Sequence, residues 1–445
     1  MNSIQRKGTE IRTGFPFGVC LGLILCFAIA CEAQTNSINL EAVLRLTKAQ
    51  NLDVQIARAR LAEAKAVNES ARAQFFPWLS PGISYRRHDN LIQDVSGNII
   101  EVHKQSYAPG VTLGAQLDIG DALFKSLVTK QQVEAAAHLT EAQRQASVFV
   151  ASQNYFDLLF AQAAVRVAEE ASRISTNYES QISRAVEAGL AFKGDQLRVR
   201  VQSANDQVAV HRARERQRLA AAQLAQTLHM DATVELIADD SELVPVAVTE
   251  TNAALSALVQ QALAARPEIK QSRATLAAAT QEKKGAKFGP LIPSLGAQVF
   301  GGALGGDSDA GPSRFGEQED VFAALSWKVG PGGLFDFSRE HTAQAHLDTA
   351  KLFSAKTADQ VAREVVDAAV RVQSLNEQLG SARQAVEAAE EGLHLTQLRK
   401  EFAVGIVLES IQAEQDLTRA RADYLRTIAE LDKAQYALRY ALGKL

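Results

Sequence analysis

The sequence repeats itself once. Asn51-Leu52-Asp53-Val54 reads onto Arg266-Pro267-Glu268-Ile269, Ala57-Arg58-Ala59 onto Ser272-Arg273-Ala274, and Phe76-Pro77-Trp78-Leu79 onto Ile292-Pro293-Ser294-Leu295. Farther along, Ala188-Gly189 reads onto Val404-Gly405, with the offset still about 215–216 residues. Solenoids repeat every ~20–50 residues, so this unit is a whole structural module. Two equivalent modules give the chain pseudo-symmetry, and a closed ring is a natural use of it.

Proline and glycine map each module. None of the ten prolines lies between Pro109 and Pro245 or after Pro331, and no glycine occurs from Asp121 through Ala188. Proline costs ~3 kcal/mol and glycine ~1 kcal/mol inside a helix, so their absence permits very long helices. Residues 126–188 and 339–404 are each a candidate single helix of roughly 95–100 Å. Gly189 and Gly405 end them, because glycine readily takes the left-handed conformation beyond a helix. A returning helix follows each glycine, and a helix near 40–75 or 254–287 opens each module. In the second module Val365, Ala368, Val372, Leu375, Leu379, Ala382, Val386, Ala389 and Leu393 keep an unbroken 3-4 spacing. That is a heptad seam, and Leu417, Tyr424, Leu431 and Leu438 continue it at seven-residue steps. In the first module Arg166, Glu170 and Arg173 interrupt the matching register.

Between the prolines the period shortens to two. Val111, Leu113, Ala115, Leu117 and Ile119 alternate with Thr112, Gly114, Gln116 and Asp118; Val321, Ala323, Leu325, Trp327 and Val329 do the same in the second module. Shorter partners precede them, Leu79, Ile83 and Tyr85, then Leu295, Ala297 and Val299. Each module therefore holds a hairpin of two strands of roughly 10 residues, and about 9–11 tilted residues can cross a membrane. Periodicity alone does not separate this from an ordinary hairpin with one face on a helical core. The expected organisation is a first module over residues 38–229 with its hairpin at about 78–120, a link at 230–253, and a second module over 254–445 with its hairpin at about 293–330.

Residues 1–33 read as a secretory signal peptide, cleaved after Ala30 or Ala33, with a retained N-terminal anchor as the alternative: Arg6, Lys7 and Arg12 precede an apolar run from Phe15 to Ala30, with small residues at Ala28, Ala30 and Ala33. All three cysteines, Cys20, Cys26 and Cys31, lie here, so the rest of the chain carries no disulfide framework. Cys31 follows Ala28-Ile29-Ala30, which loosely resembles a bacterial lipobox, and is a candidate lipidation site; the alternative is a cysteine discarded with the signal. Without the signal the chain holds 44 basic and 49 acidic residues, with no basic tract suited to nucleic acid. No P-loop, Gly-x-Ser-x-Gly or Cys/His cluster occurs, and His341 and His346 miss the i, i+4 spacing of helical zinc sites. The expectation is a protein that is not an enzyme and needs no cofactor or metal.

At this point the chain resembles the TolC-like outer-membrane efflux proteins, over nearly all of residues 38–445. The resemblance rests on the paired modules, Phe75-Phe76-Pro77-Trp78-Leu79, Asn154-Tyr155-Phe156-Asp157-Leu158-Leu159, and the run Phe402-Ala403-Val404-Gly405, Ala413-Glu414-Gln415-Asp416-Leu417, Ala420-Arg421-Ala422-Asp423-Tyr424. It implies a mainly α protein with membrane β: long coiled-coil helical hairpins forming a periplasmic α-barrel. Each protomer of a homotrimer would add four strands to a 12-stranded outer-membrane β-barrel. Val111, Leu113, Ala115 and Leu117, with Val321, Ala323, Leu325 and Trp327, would face lipid; Thr112, Gln116, Ser326 and Lys328 would face the lumen. Trp78 and Trp327 would sit in an interface belt or in a core.

The resemblance also implies partners, a periplasmic adaptor and an inner-membrane pump. The adaptor would dock at the tips Ala188-Gly189-Leu190 and Val404-Gly405-Ile406, which otherwise are plain helix-ending turns. Asp195 and Glu414 lie just beyond the tips and would ring the closed tunnel, unless they are solvated helix charges. Ile411 occupies a position where the family sometimes has an acid, and Glu409 is the candidate substitute. The expected function is an exit duct for efflux or type I secretion; the alternative is a periplasmic coiled-coil scaffold without a pore.

Overall fold

The computed structural model describes residues 36–231, 233–240, 243–246, 254–307, 314–401 and 407–445. The signal segment with Cys31 and the second tip, Val404-Gly405-Ile406, lie outside the described residues. The first module runs β1 (Asn36–Ile38), α1 (Leu40–Gln50), α2 (Leu52–Ala73), β2 (Trp78–Gln93), β3 (Ile99–Asp118), α3 (Ile119–Glu187) and α4 (Lys193–Thr227). After β4 (Leu236–Ala238), the second runs α5 (Leu255–Ala265), α6 (Pro267–Phe288), β5 (Ser294–Asp307), β6 (Arg314–Ser326), α7 (Phe337–Glu401) and α8 (Val407–Ala441).

With no breaker in its path, α3 continues for 69 residues, about 100 Å, and α7 for 65. Gly189 stops α3 with φ +73°. The Leu190 amide donates to Ala185 O at 2.8 Å and the Gly189 amide to Val186 O at 3.0 Å, the paired bonds that satisfy the last carbonyls of a helix. α4 then returns along α3, and its end meets the start of α2, where Asn51 Nδ2 donates to Thr227 O at 2.9 Å. α2 and α4 together thus cover the length of α3.

The opening helix of each module is not continuous. It breaks at Asn51 between α1 and α2 and at Arg266 between α5 and α6, with nearly equal backbone angles, φ −58° ψ 129° and φ −59° ψ 130°. The sequence expectation of single helices near 40–75 and 254–287 is corrected here. An extended ψ at one residue turns the chain while both helices stay against the long one.

The four long strands form one antiparallel sheet in the order β2-β3-β5-β6. They run 16, 20, 14 and 13 residues, longer than the roughly ten expected, because the ladder continues through stretches such as Arg86–Asn90 and Gly316–Asp320 that carry no apolar alternation. Register assigns the faces. Leu79, Leu113, Val299 and Val321 form one row, and Leu117, Leu295 and Leu325 another on the same face. The leucine and valine side chains of the first row are exposed. Thr112 and Gln116 lie on the opposite face, as does Trp78, which pairs with Gly114 and lays its ring over it. The two tryptophans therefore sit on different faces, since Trp327 follows the parity of Leu325.

The core sits midway along the helices. Tyr155, Phe156 and Leu158 of α3, Leu224 of α4 and Ile428 of α8 are buried together with Leu236 and Leu243 of the link. β1 and β4 pair in parallel there. A second cluster joins Leu258 and Ile269 to Val361, Val365, Ala368, Val372 and Leu375 of α7 and Leu438 of α8.

Candidate functional site

The far end of the helical hairpins is where the sequence places its candidate residues. The first tip presents Leu190, 83% exposed, on a turn whose Gly189 has open space where a side chain would stand. Phe192, two residues on, is also exposed.

Behind the tip the two hairpins meet in a small apolar plug. Tyr178 and Ile182 of α3, Val199 of α4 and Ile411 of α8 are buried against one another, with Val186 and Val407 at the edge. Ile411, the residue at the position where an acid was sought, belongs to this plug. That location explains why a carboxylate is unsuited to it: an unpaired charge there would be desolvated.

Asp195 and Glu414 flank the plug. Asp195 lies in the first turn of α4, where the helix dipole favours a negative charge, and its Oδ1 is 3.2 Å from Arg198 Nη1. Both carboxylates act on the buried Tyr178 hydroxyl. Burial is the main influence raising the Tyr178 pKa, a hydrogen bond with Ser410 lowers it, and the charges of Glu414 and then Asp195 raise it further. The structure thus gathers Asp195, Glu414 and Tyr178 into one electrostatic group. Glu409 stands apart, its carboxylate 3.2 Å from Arg399 of α7.

Above the plug a cavity of about 400 Å³ opens between the hairpins, lined by Glu170, Asp206, Glu414, Arg419 and Arg421 among others. Gln415 Nε2 donates to Gln202 Oε1 at 2.7 Å across it, which links α8 to α4. Sequence reasoning missed Tyr178 and Ser410. A single tyrosine at a seam position carries no motif, and only its repeated spacing with Ile182 would have suggested burial.

Two long helical hairpins rise from a four-stranded antiparallel sheet that is apolar on one face. The sequence matches the family model described as outer membrane efflux protein over residues 43–228 and 258–444, and the chain belongs to that family. Protein CyaE of Bordetella pertussis is 28% identical over 410 residues, covering 87% of this chain and 80% of that protein. Among solved structures, the Campylobacter jejuni CmeC outer membrane channel superposes with a TM-score of 0.80 at 16% identity, covering 94% of this chain and 90% of that one. The open state of the Neisseria gonorrhoeae MtrE outer membrane channel gives 0.73 at 16%, covering 91% and 89%. Like its family, the protein is an outer-membrane efflux protein with a periplasmic helical extension.

Proposed function

We propose that this protein is the passive exit duct of a tripartite efflux or type I secretion system, a homotrimer conducting substrates from an inner-membrane pump to the exterior. One observation carries the reading. The sheet has an exposed apolar face and two unpaired edges, β2 and β6, and unpaired backbone groups cannot remain open in lipid. Copies of the chain that pair β6 of one with β2 of the next remove both edges, and three copies give twelve strands. The same three copies bring their helical hairpins around one axis and make a tunnel. The duct performs no chemistry of its own; energy comes from the pump.

The tips supply the docking surface for a periplasmic adaptor through Ala188, Gly189 and Leu190, with Val404, Gly405 and Ile406 as their counterparts. Asp195 and Glu414 narrow the closed end, and a ring of such carboxylates favours cations. Repulsion between them stores part of the opening tendency, and adaptor binding shifts the equilibrium to an open state in which the returning helices α4 and α8 slide outward at the tip. A pore-free coiled-coil scaffold would leave the apolar sheet face unexplained.

Covalent capture of the edges tests the assembly. A cysteine at Ser80 of β2, combined with one scanned along Gly316, Gln318 and Asp320 of β6, should give disulfide-linked trimers in membranes. Monomers alone at every position would reject the closed barrel.

A further inference from the structure

The polar face of the sheet, opposite the Leu79 row, carries aromatic rings that a water-filled passage does not need. Register sets Trp78, Gly114, Gln298 and Phe322 in one row across the four strands, and Ser80, Thr112, Phe300 and Asp320 in the next row on the same face. Rows two residues apart along a strand are about 7 Å apart. Both rows lie toward the helical end of the sheet, since β3 passes through Thr112 and Gly114 shortly before it ends at Asp118.

Glycine makes room for two of these rings. A side chain at Gly114 would come within 2.7 Å of the Trp78 indole. One at Gly110 would come within 2.5 Å of the Phe300 ring, and one at Gly302, the partner of Gly110, within 2.9 Å of it. Each ring therefore occupies the space above bare backbone, and Trp78 still keeps 50% of its surface exposed. Phe322 is different. It is 60% exposed and covers none of the described glycines. Packing on glycine accounts for two rings and not for the third.

A carboxylate stands among them. Asp320 pairs with Phe300 and is two residues from Phe322 on the same strand face. Its Oδ2 accepts from Gln318 Nε2 at 2.6 Å. Farther from the helices the charge on this face changes sign, where Arg86 and Arg314 share a row with Ser106 and Gly306. Ring faces and negative charge thus coincide at the helical end. Phe322 lies on β6 and Trp78 on β2, the two edges of the sheet. Pairing of β6 with β2 of the next copy puts Phe322 and Trp78 on adjacent strands, so the arrangement is complete only in the closed barrel.

We propose that this level of the lumen is a binding site for organic cations: Trp78, Phe300 and Phe322 offer ring faces and Asp320 the counter-charge, repeated about the trimer axis. The proposal rests on the duct reading and adds a substrate class to it. A cation is attracted to the electron-rich face of an aromatic ring, and the carboxylate beside the rings selects the sign of the charge. Small inorganic ions hold their water too tightly to use the rings. The occupant is therefore a cation with apolar surface of its own.

Tetraphenylphosphonium and tetraphenylborate share a shape and differ in charge, and they are the probes. In Trp327→Phe protein, Trp78 is the remaining tryptophan and reports on the site. Titrating the detergent-solubilised trimer with tetraphenylphosphonium should change Trp78 fluorescence saturably, with affinity about tenfold or more above that for tetraphenylborate. Phe322→Leu, which keeps apolar bulk, and Asp320→Asn should each weaken binding about fivefold in protein that retains the trimer on heat-modifiable gels. Equal affinity for the two ions, or both variants binding as wild type, would overturn the site. Loss of binding in Asp195→Ala, Glu414→Ala protein with Asp320→Asn unaffected would put the cation at the tunnel end and overturn it as well. A channel that conducts in a planar bilayer yet binds neither ion would remove the site and leave the duct. Protein that forms neither trimer nor channel would remove both.

Discussion

Asn51 and Arg266 occupy equivalent places in the two modules and make the same bend by different chemistry. Asn51 is buried and neutral. Its Oδ1 accepts from the Asp53 amide at 3.0 Å and from Ser147 Oγ at 3.1 Å, while its Nδ2 donates to Thr227 O. Arg266 is 3% exposed and charged. It donates to both oxygens of Glu268, to Glu364 Oε2 at 2.6 Å, and lies 4.7 Å from the Tyr440 ring centre. Pro267 follows it at the first helical position, where the missing amide has no partner to lose. A duplicated backbone therefore does not require a duplicated interaction. What both solutions share is full satisfaction of the polar groups buried at the bend.

The charged bend should be the costlier one to damage. Arg266→Ala leaves Glu268 and Glu364 facing a hole and should cost about 3–5 kcal/mol, the usual result of removing one partner of a buried pair. Denaturant unfolding of the detergent-solubilised protein measures it, and a loss below that of the Asn51 variant would break the comparison.

Two carboxylates of the second module, the partly buried Glu268 and the buried Asp432, sharpen it through pH. Glu268 is pushed up by burial but pulled down further by the Arg266 hydrogen bonds and charge, ending below its ordinary value. Its contribution is present above the unfolded carboxylate pKa and disappears as pH falls through the lowered folded value. Asp432 of α8 has no ion-pair partner among the described residues. Its Oδ1 accepts from the Val246 amide at 2.8 Å, while Oδ2 and the Oε1 of Gln435, three residues on, are buried without partners among the described residues. Burial pushes Asp432 up to about 7. The sign is opposite: the folded state favours the proton, so stability falls as pH rises from about 4 to about 7 and then levels. Asp432→Asn should therefore stabilise the protein by a few kcal/mol at pH 8 and by little at pH 4. A pH-independent effect in the melting curves would show that Asp432 is ionised throughout.

Smaller effects are expected in the first module. Asn51→Ala removes a helix cap and should cost about 1–2 kcal/mol with little dependence on pH. Gly189→Ala meets no neighbour, yet forces a side chain into the left-handed region and should cost about 1 kcal/mol. Asp195→Ala should change stability least, by under about 1 kcal/mol, because its partner Arg198 is mostly solvated. Conductance, not melting, is where that variant should be felt.

The sequence carried the regular parts of this architecture well. Val365, Ala368, Val372 and Leu375 are buried as their spacing predicts, since a heptad seam encodes its own partner face. The breaks at Asn51 and Arg266 were less legible, because one residue in an extended conformation disturbs no periodicity. Pro267 was the available signal: at the start of α6 it marks a helix beginning, and the repeat carries that mark back to Asn51. The pairing of β1 with β4 was unreadable, with three residues in each strand. At the tip the charged candidates stood out as letters, whereas Tyr178 acquires its meaning only from the helices that bury it.

Single-channel conductance in a planar bilayer, comparing wild type with an Asp195→Ala, Glu414→Ala variant, tests the duct most directly. The account predicts discrete cation-selective steps, small in the wild type and larger and less selective in the variant. A protein that inserts as a trimer but carries no current in either form would contradict it.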